Sequence, residues 1–100
     1  MSYMNIQDKI SYSEGGITSK VILSEGKIQV TLFSMAAGTS IGDHTTTKEG
    51  HVHVVEGKGT FTLEKEPIEM KPGVLISLKN NALHSLDAEE NTTFLLFLTE

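Results

Sequence analysis

The stretch that decides the fold runs Gly38-Thr39-Ser40-Ile41-Gly42-Asp43-His44-Thr45-Thr46-Thr47-Lys48-Glu49-Gly50-His51-Val52-His53-Val54-Val55-Glu56-Gly57-Lys58-Gly59. It holds five of the nine glycines and three of the four histidines; the fourth, His84, lies forty positions beyond His44. Val52 to Val55 reads as a strand, because small β-branched side chains favour a pleated, half-buried surface. Glu56-Gly57-Lys58-Gly59 is expected to turn that strand tightly back into Thr60-Phe61-Thr62-Leu63, making a hairpin.

Working outward, the N-terminal side alternates twice. Ile17, Ser19, Val21 and Leu23 share one face, and after the turn signal Ser24-Glu25-Gly26-Lys27 the alternation resumes at Ile28, Val30 and Leu32. These two segments predict a second hairpin. Residues 34–40 lose the period and lead into the glycine-rich stretch as a loop. Residues 1–12 carry few consecutive apolar side chains and read as an N-terminal arm or edge strand, so the barrel itself is assigned to residues 13–100.

On the C-terminal side, Glu66-Pro67 interrupts the strand pattern before Ile68-Glu69-Met70. Lys71-Pro72-Gly73 and Lys79-Asn80-Asn81 are turns, the second through an asparagine at positive φ. Val74, Ile76 and Leu78 alternate with Leu75 and Ser77. Leu83 to Leu86 enters another strand, and residues 87–91 form an acidic loop. Thr92-Thr93-Phe94-Leu95-Leu96-Phe97-Leu98 is apolar on both faces and needs cover on both. No window carries an apolar 3.6-residue period of helical length. Short strands with turns every 8–12 residues predict an all-β sandwich or barrel.

Composition narrows the chemistry. One hundred residues make one domain. The absence of cysteine excludes disulfides and thiolate sites. Eight lysines, no arginine and a net charge of −5 argue against a nucleic-acid surface, which relies on cationic, often bidentate, contacts. The polar start lacks a signal-peptide pattern, and no apolar run approaches the roughly 20 residues that span a bilayer, so a cytoplasmic location without membrane contact is expected.

The histidines are the remaining chemistry. Neutral imidazole suits divalent transition metals, and His44, at the end of a flexible loop just before a strand, and His84, at the start of another strand after a turn, are the pair expected to meet inside the barrel. Surface positions for both are the plain alternative, since histidines titrate harmlessly on many surfaces. In the strand, His51 and His53 share the face opposite Val52 and Val54. With the valines inward, both histidines point out; a bulge at Glu49-Gly50 would reverse this and make His53 a third inward ligand.

In spacing, these residues resemble the cupins, specifically small single-domain conserved-barrel cupins. The first cupin motif places a glycine five residues before a His-x-His, then a glutamate and a final glycine. Gly38, His44 and Gly57 fall on its positions, while Thr46 stands at the second histidine and Gly50 at the glutamate. In the second motif Gly73 and His84 match, and Lys79-Asn80-Asn81 replaces the Pro-x-Gly turn. The resemblance implies a cupin-type barrel (a double-stranded β-helix, jelly-roll-like) with two of four expected metal ligands, His44 and His84.

The function expected from this is binding of a small molecule in a pocket of Thr46, Val52, Val54, Phe61 and Leu86. His44 and His84 would hold at most a weak divalent site for Zn, Fe, Ni or Mn. The alternative is a metal-dependent enzyme of dioxygenase or isomerase type, with Glu49, His53 or water completing the coordination. A third reading is a structural dimer without ligand. The doubly apolar last strand predicts a homodimer under all three.

Overall fold

Alternation on either side of the Ser24–Lys27 turn does produce a hairpin, β1 (Ile17–Glu25) paired antiparallel with β2 (Ile28–Met35). The chain continues through β3 (Ser40–His44), β4 (Gly50–Glu56), β5 (Gly59–Leu63), β6 (Glu66–Met70), β7 (Leu75–Leu78), β8 (His84–Ala88) and β9 (Thr92–Thr99). The computed structural model describes residues 2–99; Met1 and Glu100, at the ends of the expected arm and barrel segments, lie outside it. The strands form two antiparallel sheets, ordered β1-β2-β9-β4-β7 and β3-β8-β5-β6.

The sheets face each other across one core. Met35, Val52, Val54, Phe61, Met70, Ile76, Leu86 and Phe94 fill it, each almost wholly buried. Fully burying a side chain of valine to phenylalanine size stabilises by about 1.5–3 kcal/mol, so this layer is the main source of cohesion. Lys and Glu side chains of the β5–β6 hairpin, Glu64, Lys65, Glu66 and Glu69, stay in solvent. Pro67 sits in β6, which is tolerated because β6 is an edge strand and needs no ladder donor on its outer side.

β9 lies between β2 and β4 and is covered on both faces, as its composition requires. Phe94 and Leu96 join the inner core, while Leu95 packs outside with Val30, Leu32 and Phe97. Ile6 and Ile10 of the N-terminal arm complete that outer cluster. The arm contains one 3-10 turn, Ile6–Lys9, capped where the Gln7 N–H donates to Asn5 Oδ1 (3.0 Å). No strand forms within residues 2–12, and the edges of the five-stranded sheet are β1 and β7.

Tyr12 closes the arm onto the sheet. Its hydroxyl lies 2.7 Å from Glu56 Oε2, to which it donates, and 2.6 Å from Thr93 Oγ1. Burial foremost, with the Glu56 carboxylate adding to it against the opposing Thr93 hydrogen bond, pushes the Tyr12 pKa up to about 12.

Two expectations fail. β3 was expected to be loop, yet Ser40–His44 pairs with β8. Strands β4 and β5 do not form a hairpin: β4 pairs with β7 and β9, β5 with β6 and β8. A bulge between Val54 and Glu56 twists the end of β4, and Gly57, at φ +113°, carries the chain from one sheet to the other. The crossing is stitched to the 89–92 loop. The backbone N–H groups of Glu89 and Glu90 both donate to the Lys58 carbonyl, and the Thr92 hydroxyl accepts from the Lys58 N–H.

A Cβ on Gly57 would lie 2.5 Å from the Asn91 carbonyl oxygen and from Thr92 Cα. Gly57→Ala is therefore expected to destabilise the fold by roughly 2 kcal/mol or more, combining backbone strain with a clash against main chain. Urea unfolding checks this: a drop in midpoint within error of Gly26→Ala, whose added Cβ meets nothing within 4 Å, would contradict it.

Candidate functional site

His44 and His84 face each other across the β3–β8 ladder as direct partners. The register explains how. Ile41 opposes Leu86 and His44 opposes His84, so three steps on β3 match two on β8. The extra residue, in the Gly42-Asp43 segment, is a bulge, and it turns His44 onto the same face as Ile41. Without it, strict alternation would aim His44 away from the interior. The ladder is anchored beyond the bulge by Gly38 N–H to Ala88 O (2.8 Å), Ala88 N–H to Thr39 O (2.9 Å) and Ser40 Oγ–H to Asp87 Oδ1 (2.6 Å).

The two rings lie with centroids 4.0 Å apart, tilted by 60°. His84 is buried and stacks on Phe61 (5.5 Å, 4° between planes). Its Nδ1 is 3.0 Å from Ala82 O, and His44 Nδ1 is 3.0 Å from Gly42 O. A carbonyl only accepts, so each Nδ1 carries the proton and donates it. In the neutral ring the lone pair is thus on Nε2. Among the described residues no buried side-chain nitrogen or oxygen lacks a hydrogen-bond partner, and no protein hydrogen bond engages His84 Nε2, so that atom is reached through the cavity.

The cavity has a volume of about 80 Å³. Besides the imidazoles its polar wall is Thr46; the rest is apolar, from Ile41, Val52, Phe61 and Leu86 to Phe33, Phe94, Leu96 and Leu98. Phe33 and Phe94 stack at 5.0 Å with 5° between planes and make its flat side. Thr46 is placed by the Asn81 N–H, which donates to the Thr46 carbonyl at 2.7 Å and ties the β3–β4 loop to the turn before β8. Of the expected pocket residues, Thr46, Val52, Phe61 and Leu86 line the cavity. Val54 lies deeper, fully buried in the core, and does not.

The remaining histidines stand elsewhere. Gly50, His51, Val52 and His53 pair in unbroken register with β7, so no bulge occurs at Glu49-Gly50. His51 is exposed and His53 half-buried, on the face opposite the buried valines, and neither lines the cavity. Glu49 lies with His51 in a hollow outside the barrel. A larger hollow of about 700 Å³ lies between the N-terminal arm and the outer sheet face, lined by Tyr3, Met4, Ile6, Ile22, Val30 and Phe97 among others. It is an open apolar groove without converging polar groups, whereas the smaller cavity has them.

Among the described residues, no three His, Cys, Asp or Glu side chains come together as a metal-holding group. Gly50, at the motif's glutamate position, does share the inward parity of Val52 and Val54. A Cβ there would run into Phe97 O and come within 2.8 Å of Leu98 Cδ2. Leu98 thus occupies space that a carboxylate would need. Two imidazoles and a hydroxyl do not match the three or more protein ligands of a resident metal centre.

Two facing sheets enclosing a cavity with paired imidazoles define a small antiparallel β-barrel. The chain belongs to the cupin family: the cupin-domain family model matches residues 31–99. A conserved protein of unknown function from Streptococcus pyogenes is similar over 99% of this chain and 87% of its own, with 20% identity and a TM-score of 0.86. A cupin 2 conserved barrel domain protein from Leptotrichia buccalis is 30% identical with a TM-score of 0.87. The match covers 97% of this chain but only 47% of that one. Salicylate 1,2-dioxygenase from Pseudoaminobacter salicylatoxidans shares the fold over 94% of this chain and 30% of its own, with 16% identity and a TM-score of 0.77. No curated protein sequence matches this chain. Among the described residues no helix is long and apolar enough to cross a membrane.

Burial lowers the His84 pKa below its ordinary value of 6.5; the hydrogen bond to Ala82 opposes this, and the neighbouring His44 adds to the lowering. The sign follows by linkage. Below pH 6.5 the unfolded chain binds a proton at His84 that the folded protein resists, so stability falls as the pH drops through and below that value. Thermal unfolding between about pH 7 and pH 5 is expected to show this slope, and His84→Phe should flatten it. An equal slope in both proteins would assign the effect to other groups.

Proposed function

We propose that this chain is a small-molecule-binding cupin barrel whose polar recognition comes from His44, His84 and Thr46. The observation that carries the reading is the pair of tautomer-fixed imidazoles opening onto an otherwise apolar cavity. Such a wall excludes water from most of a ligand's surface and leaves a few placed polar groups to orient it.

A second reading is a metal-dependent enzyme, of dioxygenase or isomerase type, acting on a small organic substrate. It is favoured by the two neighbouring imidazoles, with ring centroids 4.0 Å apart, and by the shared fold with a dioxygenase. Water or the substrate itself would have to complete the coordination of Zn, Fe, Ni or Mn, because the protein offers only two nitrogen ligands. Metal analysis of protein purified without chelator separates the two. Substoichiometric metal in the wild type, with ligand binding that survives chelation, is expected. Stoichiometric metal lost in both His44→Ala and His84→Ala would instead establish the second reading.

A homodimer goes with either reading. Its support is the apolar surface left outside the core: Val21 is 52% exposed, Ile28 49% and Leu75 67%. Light scattering at micromolar concentration is expected to give twice the chain mass of 10.9 kDa. A species of single-chain mass at that concentration would reject it.

A further inference from the structure

We infer that the ligand enters with a vicinal pair of hydroxyl groups as its buried head, hydrogen-bonded directly to Nε2 of His44 and His84. The inference rests on the small-molecule reading above and narrows it to a chemical class. With each Nδ1–H committed to a backbone carbonyl, each neutral ring presents one acceptor. The ring centroids are 4.0 Å apart, so one ligand bearing two adjacent donors can pair with both rings at once. A ligand with one donor would forgo the second of these hydrogen bonds and leave that ring to water at the mouth beside the exposed His44.

Charge points the same way. The cavity wall includes no lysine and no carboxylate, and the chain has no arginine. An anionic head would find no fixed cation there, and an imidazolium would find no counter-charge. The Thr46 hydroxyl oxygen lies 3.3 Å from the Lys48 N–H and accepts from it, which leaves the hydroxyl proton to donate. The head must therefore also accept. A hydroxyl donates and accepts at once, which an ammonium or a carboxylate does not.

Size agrees. The cavity, at about 80 Å³, is small, which suits a compact polar head with the rest of the ligand outside it. The remainder of such a ligand would lie in the mouth beside His44, which is exposed.

Calorimetric titration of chelator-treated wild-type protein tests this with three probes: catechol, its dimethyl ether veratrole, and benzoate. Catechol is expected to bind at least tenfold more tightly than either of the others. His44→Ala and His84→Ala should each reduce catechol affinity at least tenfold, and Thr46→Val should reduce it severalfold. Because the three-probe comparison uses the wild type, a variant that fails to fold does not blunt it. Equal binding of catechol and veratrole, abolished in a cavity-filling Leu86→Trp variant, would overturn the diol head while leaving the small-molecule reading intact. Tightest binding by benzoate would overturn it as well. Catechol binding that requires added Zn²⁺ would overturn direct contact in favour of the metal reading. If no probe binds and benzene shifts no cavity-residue NMR resonance, both the diol inference and the small-molecule reading fall.

Discussion

One extra residue in β3 sets the character of this protein. The bulge at Gly42-Asp43 brings His44 into line with His84, and the imidazole pair of the cavity follows from that alignment. A β-ladder fixes the separation of directly opposed side chains, so two imidazoles placed this way meet without any further device. Their orientation is set as locally as their position. Each ring donates to the carbonyl two residues back, so which nitrogen carries the proton is set by backbone geometry.

The surroundings make that pair consequential. Phe61 lies flat against His84, and Leu86, Phe94 and Leu98 keep the cavity apolar. Low polarity favours the neutral ring at His84, and neutral rings act as acceptors or ligands, not as anion clamps. The same crowding accounts for the altered motif. At position 50 the backbone approaches Phe97 and the Leu98 side chain too closely for a side chain, which glycine alone accommodates without a shift.

Outside the barrel, the five-stranded sheet has its own apolar cluster, covered in part by the N-terminal arm. Tyr12 pins the arm to Glu56 and Thr93, and Ile6 and Ile10 shield Leu95. The bulge at Val54–Glu56 directs the Glu56 carboxylate to that clasp. It also starts the crossing at Gly57, so sheet geometry and arm docking share a cause.

Much was legible in the chain itself. Period-2 alternation marked β1, β2, β4 and β7, and the apolar run at 92–98 announced a strand buried on both faces, because side-chain parity is a local property. Gly38, His44, Gly57, Gly73 and His84 carried the family in their spacing alone. Parity likewise put His51 and His53 outside once the valines were inside. What needed the tertiary structure was anything governed by register. Ser40–His44 lacks a clean alternation because its bulge breaks the period, so it read as loop. The Glu56–Gly59 turn looked like a hairpin because its residues suit one, yet pairing with β9 and β8 sends its two arms into different sheets. Val54 read as pocket wall from parity, but only depth in the core separates it from Val52. Sequence determines which face a residue prefers; the partner strand's register decides what that face meets.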